Sequence, residues 1–452
     1  MTKNLTVGSP GALIIMFAIP LILGNLFQLF YNMADSFIVG REIGMEALAA
    51  IGCTTSINFL ILGFMMGVTA GASIVTSQRF GAQNEAGVRR SFATSIVLTA
   101  IVTVLIMIIS IATLKPLLRF LNTPANIFDD AYKYFVVILI GMPALAMFDL
   151  LSSMMRAVGD SKTPLYFLAI ACIINIGLDY LFILAFDSGV AGAGVATVIA
   201  QLFAGIACIP TIKKRLPLIC PTKADLKISL SEMIAHAKVA LPVGFQWSII
   251  AIGTIAVTRS LNPLGTTSVA AFATAEKINQ FATMPLSSYS QAMTIYTAQN
   301  FGAKKYGRIR QGVIQGAIMS CAFSIFMFVL FVFLGKEFSA LFLMHEEEAI
   351  QLSHTYLIIN GALFTTLALL FTFRQSIQGL GDSLTPTISG ITELVMRTFA
   401  ALFLTMQFGY KGLCFASPLA WIGALVPLSI SMYFKMGKLK RMELKESRKN
   451  TA

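Results

Sequence analysis

The chain has 452 residues, 56% of them hydrophobic and 12% charged, with a formal net charge of +12. Soluble globular domains carry about 25% charged residues, so this composition excludes an ordinary soluble enzyme and points to a membrane. The positive charge would suit nucleic acid, but it is gathered in the breaks between apolar runs and in the C-terminal tail, so we expect no nucleic-acid partner.

Apolar runs long enough to cross a bilayer follow one another with short polar breaks. We read twelve, at about 11–38, 46–77, 92–114, 131–156, 164–186, 190–211, 239–260, 267–298, 311–334, 351–378, 386–407 and 411–434. No segment alternates as a barrel strand does. The expected fold class is an all-α integral membrane protein of twelve transmembrane helices in two six-helix lobes. The first run lacks a cleavage-site pattern and is expected to remain as the first span.

That first span reads PLILGNLFQLFYNMADSFIVG, in which Asn25, Gln28, Asn32 and Asp35 fall on one helical stripe. Tyr31 lies one turn before Asp35, and Pro20 permits a kink. In the second span Gly63, Gly67 and Gly71 are spaced for close helix packing, and SQRFGAQ follows. Asp149 in the fourth span stands two turns before Arg156, a candidate pair, and RAVGDSKTP then makes a turn with Ser or Thr available as a cap. The fifth span, IINIGLDYLFILAF, holds Asn175 and Asp179 on one face, and Thr197 adds a hydroxyl to the sixth. A charge near the bilayer centre costs about 2.5–3.5 kcal/mol, so such acids favour a functional role over a structural one.

The second half repeats the first. QGLGDSLTP follows RAVGDSKTP at an offset of 222, Pro242 follows Pro20 at the same offset, and AQNFGAK follows SQRFGAQ at 221. We expect a duplication with parallel topology: an N-terminal lobe at 1–211, a cytoplasmic linker at 212–238, a C-terminal lobe at 239–436 and a basic tail at 437–452. Asp35, Asn175 and Asp179 fall on Val257, Arg397 and Ala401 in the second copy. A polar set present in one copy only reads as a site.

Two carboxylates, an amide oxygen and a hydroxyl suit a hard cation such as Na⁺, and equally a proton shared between close acids. Glu276 in the second lobe is expected to face a substrate cavity as counter-charge to a cationic cargo, with Lys277 beside it. Arg374 and Asp149 could also line that cavity, although a structural role is favoured for both, and Glu393 and Arg397 are expected to neutralise each other. If both termini are cytoplasmic, 23 basic residues (Lys3 among them) lie in inner segments against 7 outside, which gives the orientation and makes the tail an anchor on acidic headgroups. The six cysteines show no C-x-x-C spacing and are read as reduced packing residues. The histidines, at 236, 345 and 354, are scattered, so neither a metal centre nor an enzyme is expected.

YNMADSFIVGR, SQRFGAQ, RAVGDSKTP, NIGLDYLFI and GVAGAGVATVIAQ, taken in order, resemble the multidrug and toxic compound extrusion (MATE) transporters over essentially the whole length. The resemblance implies antiport by alternating access, exporting organic cations and amphiphilic drugs against Na⁺ or H⁺ entry, with no other cofactor. It implies a cation site at Asp35, Asn175, Asp179 and Thr197, with Tyr31 in the same polar cavity, and a hinge at Pro20; Gln28 and Asn32 of the stripe are expected to line the substrate cavity with Tyr31. One branch of the family carries acids in the seventh and tenth spans; here GFQWSIIAIG and TTLALLFTF have none, which is closer to branches relying on the N-terminal lobe. The expected location is the cytoplasmic (inner) membrane, as a monomer. A flippase for lipid-linked saccharides is the alternative, which would need a wider, more basic cavity. A major-facilitator carrier would have an aspartate in the loop that here reads QRFGAQNEAGVRR.

Overall fold

A computed structural model describes residues 4–121, 123–343 and 346–451; Lys3 and His345 lie outside the described residues. The described residues fold into helices in the order α1 (Pro10–Glu42), α2 (Met45–Gly81), α3 (Glu85–Phe120), α4 (Ala125–Ile140), α5 (Met142–Ala157), α6 (Lys162–Tyr180) and α7 (Gly189–Arg215). After a loop come α8 (Leu230–Leu261), α9 (Thr266–Gly302), α10 (Tyr306–Leu343), α11 (Glu347–Ala362), α12 (Phe364–Gly379), α13 (Leu384–Phe399), α14 (Thr405–Cys414) and α15 (Ala416–Thr451). In hydrocarbon no water satisfies the backbone, so an apolar chain this long pairs its N–H and C=O groups within helices.

Among the described residues nine helices are long and apolar enough to span a membrane, and two bent pairs add to them: α4–α5, bent by 49°, and α11–α12, bent by 50°. Helix α9 has the length of a span, with 37 residues, but carries more polar side chains. With it the twelve expected spans are all helical.

The duplication extends to backbone detail. The FGAQ and FGAK turns place Gln83 and Lys304 at the same φ of 55°. Gly159 and Gly381, in the two Gly-Asp-Ser turns, have φ of 90° and 88°, a region that side chains disfavour. The caps differ from expectation: the carboxylates act, not the serines. Asp160 accepts from the N–H groups of Lys162 and Thr163 and from the Thr163 hydroxyl, and Asp382 does the same for Leu384 and Thr385. A carboxylate reaches two N–H groups at once and favours the positive end of the helix dipole. Both copies also carry a π-helical turn, Leu181–Ala185 after α6 and Ala400–Leu404 after α13.

The chain divides into two compact units: residues 1–4 with 20–248, and residues 5–19 with 249–452. The lobes read from sequence and these units differ in two segments, because α1 changes unit at Pro20 and α8 after Ser248. Hydrogen bonds hold the segment before α1 in the second unit. Leu5 donates to the Gln299 side chain and accepts from Asn300, while Lys305 and Arg308 donate to the carbonyls of Thr6 and Gly8.

In the first unit, α8 begins against α2 and α3. Arg79 pairs with Glu232 at 2.6 Å, and the buried His236 ring meets the Ser91 hydroxyl at 2.7 Å. The glycine spacing in α2 does what its pattern predicts. A Cβ on Gly67 would stand 2.7 Å from Gly244 Cα, and one on Gly71 only 2.6 Å from Ala240 Cα.

The linker and the tail are largely helical. Residues 212–215 complete α7 and 230–238 open α8, leaving a short loop tied down by Asp225, which pairs with Arg89 at 3.2 Å. The tail continues α15, and its acids face the second unit: Glu443 pairs with Arg310 at 3.0 Å and Glu446 with Lys304 at 3.6 Å.

Candidate cation site

Helix α1 enters the first unit at Pro20 and runs past α6 with Tyr31 and Asp35 turned inward; they are 4% and 6% exposed. Residues i and i+4 share a face, so burying one buries the other. The expected four-residue stripe does not act as one surface. Asn25 and Gln28 are half-buried and Asn32 is exposed, about 100° around the helix from Tyr31.

Helix α6 supplies Asn175 and Asp179, both fully buried, with the Asn175 amide nitrogen 3.4 Å from one Asp179 carboxylate oxygen. The π-helical turn begins two residues after Asp179. Such a turn adds a residue to the ladder and re-aims the side chains beside it. Thr197 of α7 approaches the Tyr31 hydroxyl, and Tyr31 is within electrostatic reach of Asp35 and Asp179. The two carboxylates are in electrostatic reach of each other. The structure therefore brings together Asp35, Tyr31, Asn175, Asp179 and Thr197 from three helices.

Tyr134 of α4 joins them, in reach of both carboxylates and 6% exposed. Sequence reading passed over it because Tyr132 and Tyr134 flank Lys133 and nothing local says which ring turns inward. The repeat tells the two rings apart, since Tyr134 falls on Tyr356 at the offset of 222 and Tyr132 on His354, but it does not say which turns inward.

Unfilled bonding capacity is concentrated on the acids of this centre. One oxygen each of Asp35, Asn175 and Asp179, and the Tyr31 hydroxyl, are buried without a hydrogen-bond partner. Buried oxygens are normally paired, and each unpaired one costs about 1–3 kcal/mol; four on neighbouring side chains make a set whose acceptors suit a cation or a proton.

The matching place in the second unit is built differently. Tyr356 donates to Glu276, and Arg397, at the position of Asn175, reaches Glu393 at 2.7 Å. Glu393 also meets Arg374 at 2.7 Å, so both its oxygens are engaged. The expected Glu393–Arg397 pair is there, with Arg374 completing it. Glu276 lies in this second centre, within reach of Arg397, in the other unit from the cation site. Asp149 and Arg156 are in electrostatic reach, while the Arg156 guanidinium bonds Ser153 at 3.0 Å.

Comparison with known proteins gives these features a context. The MatE family profile matches residues 20–181 and again 242–402, one match per copy. Probable multidrug resistance protein YpnP of Bacillus subtilis is 27% identical over 437 residues, covering 95% of this chain and 96% of its own. Probable multidrug resistance protein YoeA of the same organism is 25% identical over 383 residues, covering 83% and 82%. The crystal structure of the Vibrio cholerae MATE transporter VcmN in the bent form superposes with a TM-score of 0.86 at 22% identity, over 96% of this chain and 98% of that one. With the duplicated profile covering most of its length, the chain belongs to the MatE family of membrane transporters.

Proposed function

We propose that the protein is a cation-coupled antiporter that exports organic cations and amphiphilic drugs by alternating access, with both termini cytoplasmic in the inner membrane. The observation that carries the reading is the set of unpartnered oxygens on Asp35, Asn175, Asp179 and Tyr31 within one buried centre. Asp35, Asn175, Asp179 and Thr197 hold the coupling ion, Na⁺ or H⁺. Gln28, Tyr31 and Asn32 are assigned to substrate binding on the first unit, and Glu276, on the second, to the counter-charge for a cationic cargo. The ion and the cargo prefer different conformations, and each shifts the population toward its own.

Pro20 is assigned as the hinge. It offers no N–H to the carbonyl one turn earlier, and the chain changes unit at that residue. Ion binding at Asp35, four turns further along the same helix, would bias the bend.

The test is export of a fluorescent organic cation from loaded liposomes under a Na⁺ gradient and, separately, under a pH gradient. We expect one gradient to drive export, which names the ion. Transport of a lipid-linked saccharide with no dye export under either gradient would overturn the proposal in favour of a flippase.

A further inference from the structure

The first unit carries a groove of about 460 Å³ that the cation site does not use. Helices α3 and α7 form its walls and α5 its floor, and the loop after α7 closes one end with Cys220 and Pro221. Ile96, Val104 and Ile209 on its rim are 41%, 45% and 38% exposed, so it opens sideways from the helix bundle. Thr99 and Thr103 line it as well, but their hydroxyls are covered, so the groove presents mostly carbon.

The two ends of the groove differ. Lys213 stands at the end where α3 begins and α7 finishes, close to Cys220. Lys214 and Arg215 follow it, and all three are exposed. From Phe92 at that end to Val104 at the other is twelve residues of α3, or ~18 Å. One leaflet of a bilayer has about 15 Å of hydrocarbon. The groove is thus one leaflet deep, apolar along its length and cationic at its headgroup end.

We propose that this groove binds one anionic phospholipid, an acyl chain lying between α3 and α7 over α5 and the phosphate against Lys213. A chain seated there covers apolar surface that three helices leave unpacked. The lysine supplies the preference for negative headgroups, worth about 1 kcal/mol per basic residue near the surface. The Arg89–Asp225 pair holds the loop that forms the headgroup end.

The experiment is native mass spectrometry of the full-length protein with phosphatidylglycerol and phosphatidylethanolamine in equal amounts. The wild type is expected to retain one phosphatidylglycerol at collision energies that strip all other lipid. Ala100→Trp, which fills the groove from its exposed wall, should abolish that retention; if this variant aggregates, Ile209→Trp on the rim gives the same readout. Lys213→Ala should still hold a lipid but lower the preference for phosphatidylglycerol by about fivefold. Undiminished retention in a filled-groove variant, or an unchanged preference in Lys213→Ala, overturns the proposal. So does loss of rhodamine 6G binding in Ala100→Trp with lipid retention intact, which would assign the groove to cargo.

Discussion

Asn175 and Asp179 stand one turn apart in α6, the amide nitrogen 3.4 Å from one carboxylate oxygen, while the other oxygen of Asp179 has no partner. The amide orients the acid and leaves half of it open. Asp179→Asn keeps the shape and removes the charge, so we expect export to fall to background with the thermal midpoint in detergent unchanged or higher, because an unpaired buried acid is removed. Normal export by this variant would make Asp179 a packing residue.

Tyr134 and Tyr356 occupy equivalent places in the two copies, and only Tyr134 faces the two aspartates. Tyr134→Phe should weaken the apparent affinity for the coupling ion by about fivefold, the equivalent of ~1 kcal/mol. Tyr356→Phe, which leaves Glu276 without its donor, should not move that affinity. The ion concentration giving half-maximal export measures both.

Gly71 lies against the α8 backbone, with no room for a side chain. Gly71→Ala must push α2 and α8 apart, costing about 1–3 kcal/mol. A lower melting temperature and less monodisperse protein should follow. An unchanged melt would mean that the two helices do not touch there.

Asp160 and Asp382 cap α6 and α13 in the same geometry. Each Asp→Ala change should cost about 0.5–2 kcal/mol, and Asp→Asn less, because the amide oxygen still accepts. Thermal melts of the four variants, compared in pairs, check both the size and the symmetry of the effect.

The loop after α7 gives a pH prediction outside the membrane. Hydrogen bonds from the Thr222 hydroxyl and N–H, with Arg89 adjacent, hold the Asp225 carboxyl below the usual carboxylate range. A carboxyl whose pKa folding depresses contributes stability above its ordinary value of about 4 and loses it as pH falls through the folded value. Loop attachment should therefore be constant from pH 8 to 5 and loosen only below about pH 4. Labelling of Cys220, followed by mass spectrometry, should be faster in Asp225→Asn than in wild type by a ratio that does not change between pH 5 and 8. A ratio that shrinks across that window would mean that another group holds the loop.

Much of this molecule was legible in one dimension. Apolar runs and the absence of water in a bilayer leave helices as the fold, and offsets of 222 and 221 between motifs declare a duplication. The acids on α1 and α6 were visible because charge in an apolar run is costly wherever the helix packs. The capping side chain is not legible because Asp, Ser and Thr adjoin in GDSKTP and GDSLTP, and only the backbone path shows which of them reaches the N–H groups.

The sequence by itself determined the helices, their number, the doubling and the acids, because each depends on local hydrophobicity or on a spacing within the chain. The tertiary structure alone decided that Tyr134 faces the aspartates and Tyr132 does not, and that Asn32 leaves the stripe to which Asp35 belongs. It also decided that α1 and α8 each divide between two units. Those outcomes depend on which face of a helix meets which neighbour. In a chain apolar on nearly every side, hydrophobicity does not mark that face; close packing and the pairing of buried polar groups choose it.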